Sequence, residues 1–322
     1  MKYIVGIILL ISGFTFQSCS DSKQENTTLE ITRFDKELMS FQTKEELQSF
    51  LNENPWYSKS LYRVFPDDTA FVSHLFYIIS HPGTQTFYKQ VDSTYGDLAP
   101  LKKELSSAFD NIKEHYPSFV APKVYTTFTG IENDVYVSDS VVIISLESFV
   151  GPKAMYRPDQ PGYILRRYDK PYIVPSIVRL LSDSFIKSKP EGSMLNDMVY
   201  FGKSFEFTKT MMPEISDSLI IGMPDSSLVG NWYAQDLIWA HFIDKKLLFE
   251  QNQKVKEKYI GERPKVTEIG SSCPGRIGQW LGWRIIDKFR TENPSVTFNQ
   301  LMEMTDVQEI LRMSKYRGEV EE

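Results

Sequence analysis

Two cysteines in a chain of 322 residues, one of them closing an export signal, leave no disulfide to hold a fold together. Lys2 supplies a positive start, and Tyr3 to Phe16 is an apolar run of 14 residues. That is short of the roughly 20 needed to cross a bilayer as a helix. Phe16-Gln17-Ser18-Cys19 then sets a small residue before a cysteine, and the chain turns polar at once through Ser20-Asp21-Ser22-Lys23. This order is that of a bacterial signal peptide, residues 1–18, cut before a cysteine that is then acylated. Cys19 is therefore the expected lipidation site and residues 19–28 the expected tether. Cys273 is left without an intrachain partner, and no histidine lies within 30 residues of it, so a small buried residue is expected there. The chain beyond the tether must fold by burying apolar surface.

There is enough surface to bury. The chain from Cys19 onward has 304 residues, and the whole chain is 41% hydrophobic and 13% aromatic, as in a globular protein. Without Lys2 the balance is 35 basic against 42 acidic residues, and no stretch is strongly basic, which argues against nucleic acid as a partner. No second long apolar segment occurs, so the acyl group on Cys19 is the expected membrane attachment.

Residues 29–322 read as one α+β domain, mostly helical with a small antiparallel sheet. Phe34, Leu38, Phe41, Leu47 and Leu51 suggest a helix over 33–51. Leu101, Leu105, Ala108, Phe109, Ile112 and Tyr116 form an amphipathic stripe opened by Pro100 and closed before Pro117. Texture then changes to β-branched and aromatic runs at 124–130, 134–137 and 139–149, the last being the best strand. A Gly/Pro-rich loop comes next, carrying Arg157, Arg166 and Arg167. Helices are expected over 175–186, 193–212, 236–258 and 274–290, with capping boxes at Thr297/Gln300 and Thr305/Gln308.

The chemistry-bearing residues are sparse. His74, His81, His115 and His241 lack the spacing of a zinc-protease helix, and neither a Gly-x-Ser-x-Gly elbow nor a phosphate loop is present. No cofactor or metal is expected. The most distinctive segment is Pro274-Gly275-Arg276-Ile277-Gly278-Gln279-Trp280-Leu281-Gly282-Trp283-Arg284. Its glycines, spaced by three and four, make a side-chain-free stripe against which another backbone can pack. Two readings stand open: Arg276, Gln279, Trp280, Trp283 and Arg284 line a cleft or partner surface, or the segment is a tightly packed core helix.

From about 30 to 318 the chain resembles the gliding-motility lipoprotein GldB family of Bacteroidota. The matching stretches are Arg33-Phe34-Asp35, Met198 to Lys203, Ile220-Ile221-Gly222, Ile238-Trp239 with Phe242-Ile243, Lys246-Leu247-Leu248, Pro274 to Trp283 and Ser314-Lys315-Tyr316. The resemblance implies an outer-membrane lipoprotein facing the periplasm, required for gliding and linked to type IX secretion. More distantly, the family resembles predicted zinc metallopeptidases, in which a strand pair precedes a His-Glu-x-x-His helix. Here that helix reads Pro175-Ser176-Ile177-Val178-Arg179, and Phe201 stands where a later glutamate ligand belongs. The implied fold is zincin-like, with the groove kept and the metal ligands lost.

Two functions stand as expectations. One is a non-catalytic binding or assembly factor that holds other envelope proteins or peptides. The other is an envelope hydrolase working through carboxylates such as Glu132, Asp134, Glu191 or Asp197 without a metal.

Overall fold

The computed structural model describes residues 29–319; the signal peptide, and the tether with Cys19, lie outside the described residues. The sheet has four strands in the order β1 (Ile31–Arg33), β2 (Lys123–Thr127), β4 (Val141–Ser145), β3 (Val135–Val137). It is mixed rather than antiparallel. Only the β3–β4 hairpin runs antiparallel, with Val135 opposite Ile144, whereas β1–β2 and β2–β4 are parallel. The parallel β1–β2 pair requires a long crossover, which the helices between residues 34 and 115 supply.

From Val142 to Ser145, β4 is buried on both faces, which is why it reads as a continuous apolar run rather than an alternation. It ends earlier than its sequence suggests, because Leu146–Phe149 winds into a 3-10 turn. Phe34 packs edge-on to Phe50 at 4.8 Å and against Tyr125 of β2 at 4.8 Å, while Trp56 meets Tyr125 at 4.7 Å. This aromatic layer covers one side of the sheet. Beneath it, fully buried Asp35 accepts from Arg33 Nη2 at 2.6 Å, from Tyr88 Oη at 2.9 Å and from Thr126. Those bonds give the Arg33-Phe34-Asp35 stretch a structural reason: a buried carboxylate needs such partners.

The helix Ala99–His115 forms as its stripe predicts, with Leu105 and Ile112 fully buried. Other boundaries move. The expected 33–51 helix breaks into Phe34–Leu38 and Lys44–Glu53, the second opened by a capping box between Thr43 and Glu46. The expected 236–258 helix becomes Gln235–Asp244, a 3-10 turn Leu247–Phe249 and Gln253–Ile260, because Lys246 takes a left-handed φ of 55° and Asn252 caps a new start. The Thr297/Gln300 box is present, but Asp306 rather than Thr305 caps the last helix, Val307–Ser314.

The second half is organised around two helices. Met194–Met211 is buried nearly all round, as an interior helix should be. It makes its most extensive contact with Ile277–Glu292. At their crossing Gly202 faces Gly282, and a methyl group on either would overlap the other helix's backbone, at Gly282 and Met198 respectively. Among the described residues, no helix is long and apolar enough to cross a membrane.

Candidate functional site

The Pro274–Arg284 segment is mainly a packing device. Arg276 sits at φ 60° before the helix, and its Nη1 and Nη2 donate to Ile221 O at 2.7 Å and Gly222 O at 3.1 Å. These carbonyls end the helix Asp217–Ile221, so a cation caps the negative end of its dipole. Gln279 is buried and donates to Ile260 O at 2.7 Å; Trp280 is buried; Trp283 Nε1 donates to Glu206 Oε2 at 2.9 Å. The core reading therefore holds for Gln279, Trp280 and Trp283.

Arg284 is placed differently, because it lines a cleft. Its guanidinium lies 5.9 Å from the Trp232 ring and 5.2 Å from that of Trp283. The cleft is small, about 50 Å³, and is bounded by Trp232, Gln235, Asp287, Lys315 and Tyr316. Tyr316 Oη donates to Gln235 Oε1 at 3.1 Å, and its ring packs edge-on to Trp239 at 5.2 Å. Stretches scattered along the sequence thus meet at one end of the long helix.

A second cleft carries more volume, about 320 Å³, and was not legible in the sequence. Tyr95, Leu98, Leu101, Ile173 and Ile215 make its apolar wall, drawn from segments up to 120 residues apart. Lys170 and Glu104 supply the charges. Lys170 Nζ sits 5.0 Å over the Tyr95 ring and donates to Thr94 O, and burial raises the Glu104 carboxyl above its ordinary value. Leu98 holds a left-handed φ of 62° while 3% exposed, a conformation that costs a leucine roughly 1–2 kcal/mol. Apolar volume with a few charges and a strained residue on its wall is the usual profile of a ligand cleft.

The four carboxylates considered for hydrolysis are dispersed among separate surroundings. Glu132 is exposed and meets His74 Nε2 at 2.6 Å; Asp134 accepts from Tyr168 Oη at 3.2 Å. Glu191 is exposed in a turn, and Asp197 forms a buried ion pair with Lys256 at 2.8 Å. The carboxyl with the perturbed proton affinity is a different one. Glu147 is fully buried after β4, and burial pushes it up to about 7 even though Thr129 N, Thr129 Oγ1 and Ile131 N donate to its Oε1. Its Oε2 has no hydrogen-bond partner. Cys273 is buried, which pushes its thiol up to about 12 and makes it a poor nucleophile near neutral pH. Among the described residues, no three His, Cys, Asp or Glu side chains come together as a set that would hold a metal ion.

Searches of curated proteins and of solved structures each returned no match, so the expected metallopeptidase-like kinship is not shown. A family model described as gliding motility protein GldB matches residues 17–318, a span that includes Cys19 and every cleft residue named above. The chain belongs to that family, and with it to the gliding-motility-associated lipoproteins of the cell envelope.

Proposed function

We propose that this chain is a non-catalytic binding or assembly factor that seats a peptide segment of an envelope partner in the cleft beside Leu98. On this reading Cys19 carries the acyl anchor, which holds the domain at the periplasmic face of the outer membrane, next to the gliding and type IX secretion machinery. The observation that carries the reading is the cleft itself: about 320 Å³, with an apolar wall and one cation and one carboxylate. Its chemistry suits an extended segment that inserts an apolar side chain and places an acidic neighbour near Lys170. The dispersal of Glu132, Asp134, Glu191 and Asp197 supports binding over hydrolysis, since acid–base catalysis needs two groups in a defined mutual geometry.

The test is photo-crosslinking in cells from a reactive amino acid placed at Glu104, with the same group at half-exposed Glu309, away from the cleft lining, as control. An envelope protein captured from position 104 and not from 309 is the expected result. Recovery of nothing above the mock control, or equal recovery from both positions, would sink the binding role of the cleft.

A further inference from the structure

We infer that the cleft at Arg284 is a binding site for a carboxylate group. Four parts of the chain build it: Trp232 near the end of the helix Asp225–Tyr233, Gln235 at the start of Gln235–Asp244, Arg284 on Ile277–Glu292, and the stretch from Lys315 to Arg317. A tight turn holds the last stretch in place. Gly318 takes a φ of 75°, and a methyl group there would overlap Trp239 Cβ at 2.5 Å and reach Gln235 O at 3.0 Å. That approach of backbone to backbone brings Tyr316 and Arg317 to the border of the cleft.

Arg284 is the centre of the site. Its side chain is only 13% exposed, and its guanidinium lies over the Trp283 and Trp232 rings. Contacts with ring faces fix the plane of a guanidinium and leave its edges for hydrogen bonds. One nitrogen is in use: Nη1 donates to exposed Asp287 Oδ2 at 3.3 Å, a long bond. The opposite edge is open, since Nε is buried and has no hydrogen-bond partner. A second donor lining the same cleft is in the same condition. Gln235 is buried, its Oε1 accepts from Tyr316 Oη, and its Nε2 has no partner. A packed chain gains nothing from two buried donors without acceptors, one of them on a cation. Water can answer such donors singly, but it brings no charge to match the guanidinium.

The ligand chemistry follows from that open edge. Nε and Nη2 of a guanidinium present two parallel N–H groups, which the two oxygens of one carboxylate meet as a fork. At about 50 Å³ the cleft has room for a group of that size, and the body of the ligand stays outside. Exposed Val229 and Tyr233, on the helix that carries Trp232, offer apolar surface beside the mouth. A phosphate monoester suits the cleft less well, because it brings close to two negative charges to a wall that already holds Asp287 and Glu319. The site shares no lining residue with the cleft beside Leu98, so it stands or falls independently of the proposed partner role.

Two probes distinguish the source of the carboxylate: acetate, and a short blocked peptide with one glutamate beside a leucine. The same peptide with glutamine in place of glutamate is the control. Titration of the mature chain at constant ionic strength, followed by NMR through the Arg284 Nε–H signal, should give a saturable shift with both probes and none with the control. Glutamate peptide binding at least tenfold tighter than acetate assigns a peptide-borne carboxylate; any smaller difference assigns a free small acid. Arg284→Lys keeps the charge but loses the fork, and should weaken binding at least tenfold, read from the Gln235 side-chain amide signals. Gln235→Glu puts the chain's own carboxylate in the wall and should abolish the shift of the Arg284 signal. Arg312→Gln, which alters a pair with Glu309 outside the cleft lining, should change nothing. Should Arg284→Lys fail to fold, as judged by circular dichroism and thermal unfolding, Gln235→Glu decides alone. No saturable shift with either probe, an equal response to the glutamine peptide, or unchanged affinity in the well-folded variants overturns the site.

Discussion

Two regions of this molecule bury charged groups, and they treat them differently. Around the crossed helix pair, Asp197 meets Lys256 of the helix Gln253–Ile260 at 2.8 Å, Glu206 accepts from Trp283 and Arg290, and fully buried Lys203 donates to Met304 O at 2.6 Å. At the end of the sheet, Glu147 has one carboxylate oxygen engaged and the other without a hydrogen-bond partner. The first arrangement is a scaffold, since every buried charge there has a reason to stay where it is. The second leaves a group that titrates near neutrality within the field of Tyr95, a wall residue of the apolar cleft. Paired buried charges thus mark the crossed helices, whereas Glu147 keeps an unpartnered oxygen near the candidate binding site, although Gln235 Nε2 and Arg284 Nε lack partners in the second half too.

The largest effect should come from breaking the scaffold's pairing. Asp197→Ala leaves Lys256 buried without its counter-charge and is expected to cost about 4 kcal/mol, read from urea or guanidinium unfolding. A loss below about 1 kcal/mol would mean that the pair does not hold Gln253–Ile260 to Met194–Met211. Next comes the crossing itself. Gly282→Ala drives a methyl group into the Met198 carbonyl, with an expected loss of about 3 kcal/mol, while an alanine at exposed Gly230, where nothing lies within reach, should be tolerated.

The smallest of the three concerns Glu147 and appears as a pH slope. Burial holds its folded-state carboxyl at about 7, whereas unfolding returns it to the ordinary 4.5. Ionisation therefore penalises the folded state: stability falls as pH rises from 4.5 towards 7 and levels off above. Between pH 5 and pH 8 this group should cost about 2.5 kcal/mol, and Glu147→Gln should remove that part of the slope. Identical slopes in the two proteins would show that Glu147 has a hydrogen-bond partner for Oε2 and would erase the contrast between the regions.

Much of the local structure was legible. The stripe from Leu101 to Ile112 gave the helix Ala99–His115, and the Thr297/Gln300 spacing gave a capping box. Gly278 and Gly282, spaced to leave a bare stripe, do lie against the backbone of Tyr259 and of Met198. Other local signals were present but outweighed by stronger ones. Thr43 and Glu46 mark a helix start inside the apolar pattern from Phe34 to Leu51, and Asn252 marks another inside a run that reads as continuous. In the Pro274–Arg284 segment Arg284 reaches a cleft, whereas the glycine spacing that makes the segment distinctive pulls Trp280 and Trp283 into the interior.

By itself the sequence determined what depends on short range: where helices and strands form, that Cys273 has no intrachain partner if Cys19 is acylated, and which helix is bare enough for another to cross it closely. Periodicity, caps and glycine spacing act over a few residues, so a few residues are enough to read them. Tertiary structure alone decided the parallel pairing of Ile31 with Val124, the apolar cleft that joins Tyr95 to Ile215, the raised proton affinity of Glu147, and the meeting of Arg167 and Arg276 on Glu262. Those features depend on which distant segments share one place and how much water they exclude. Charge repulsion and desolvation are set by distance in space, and no spacing along the chain encodes it.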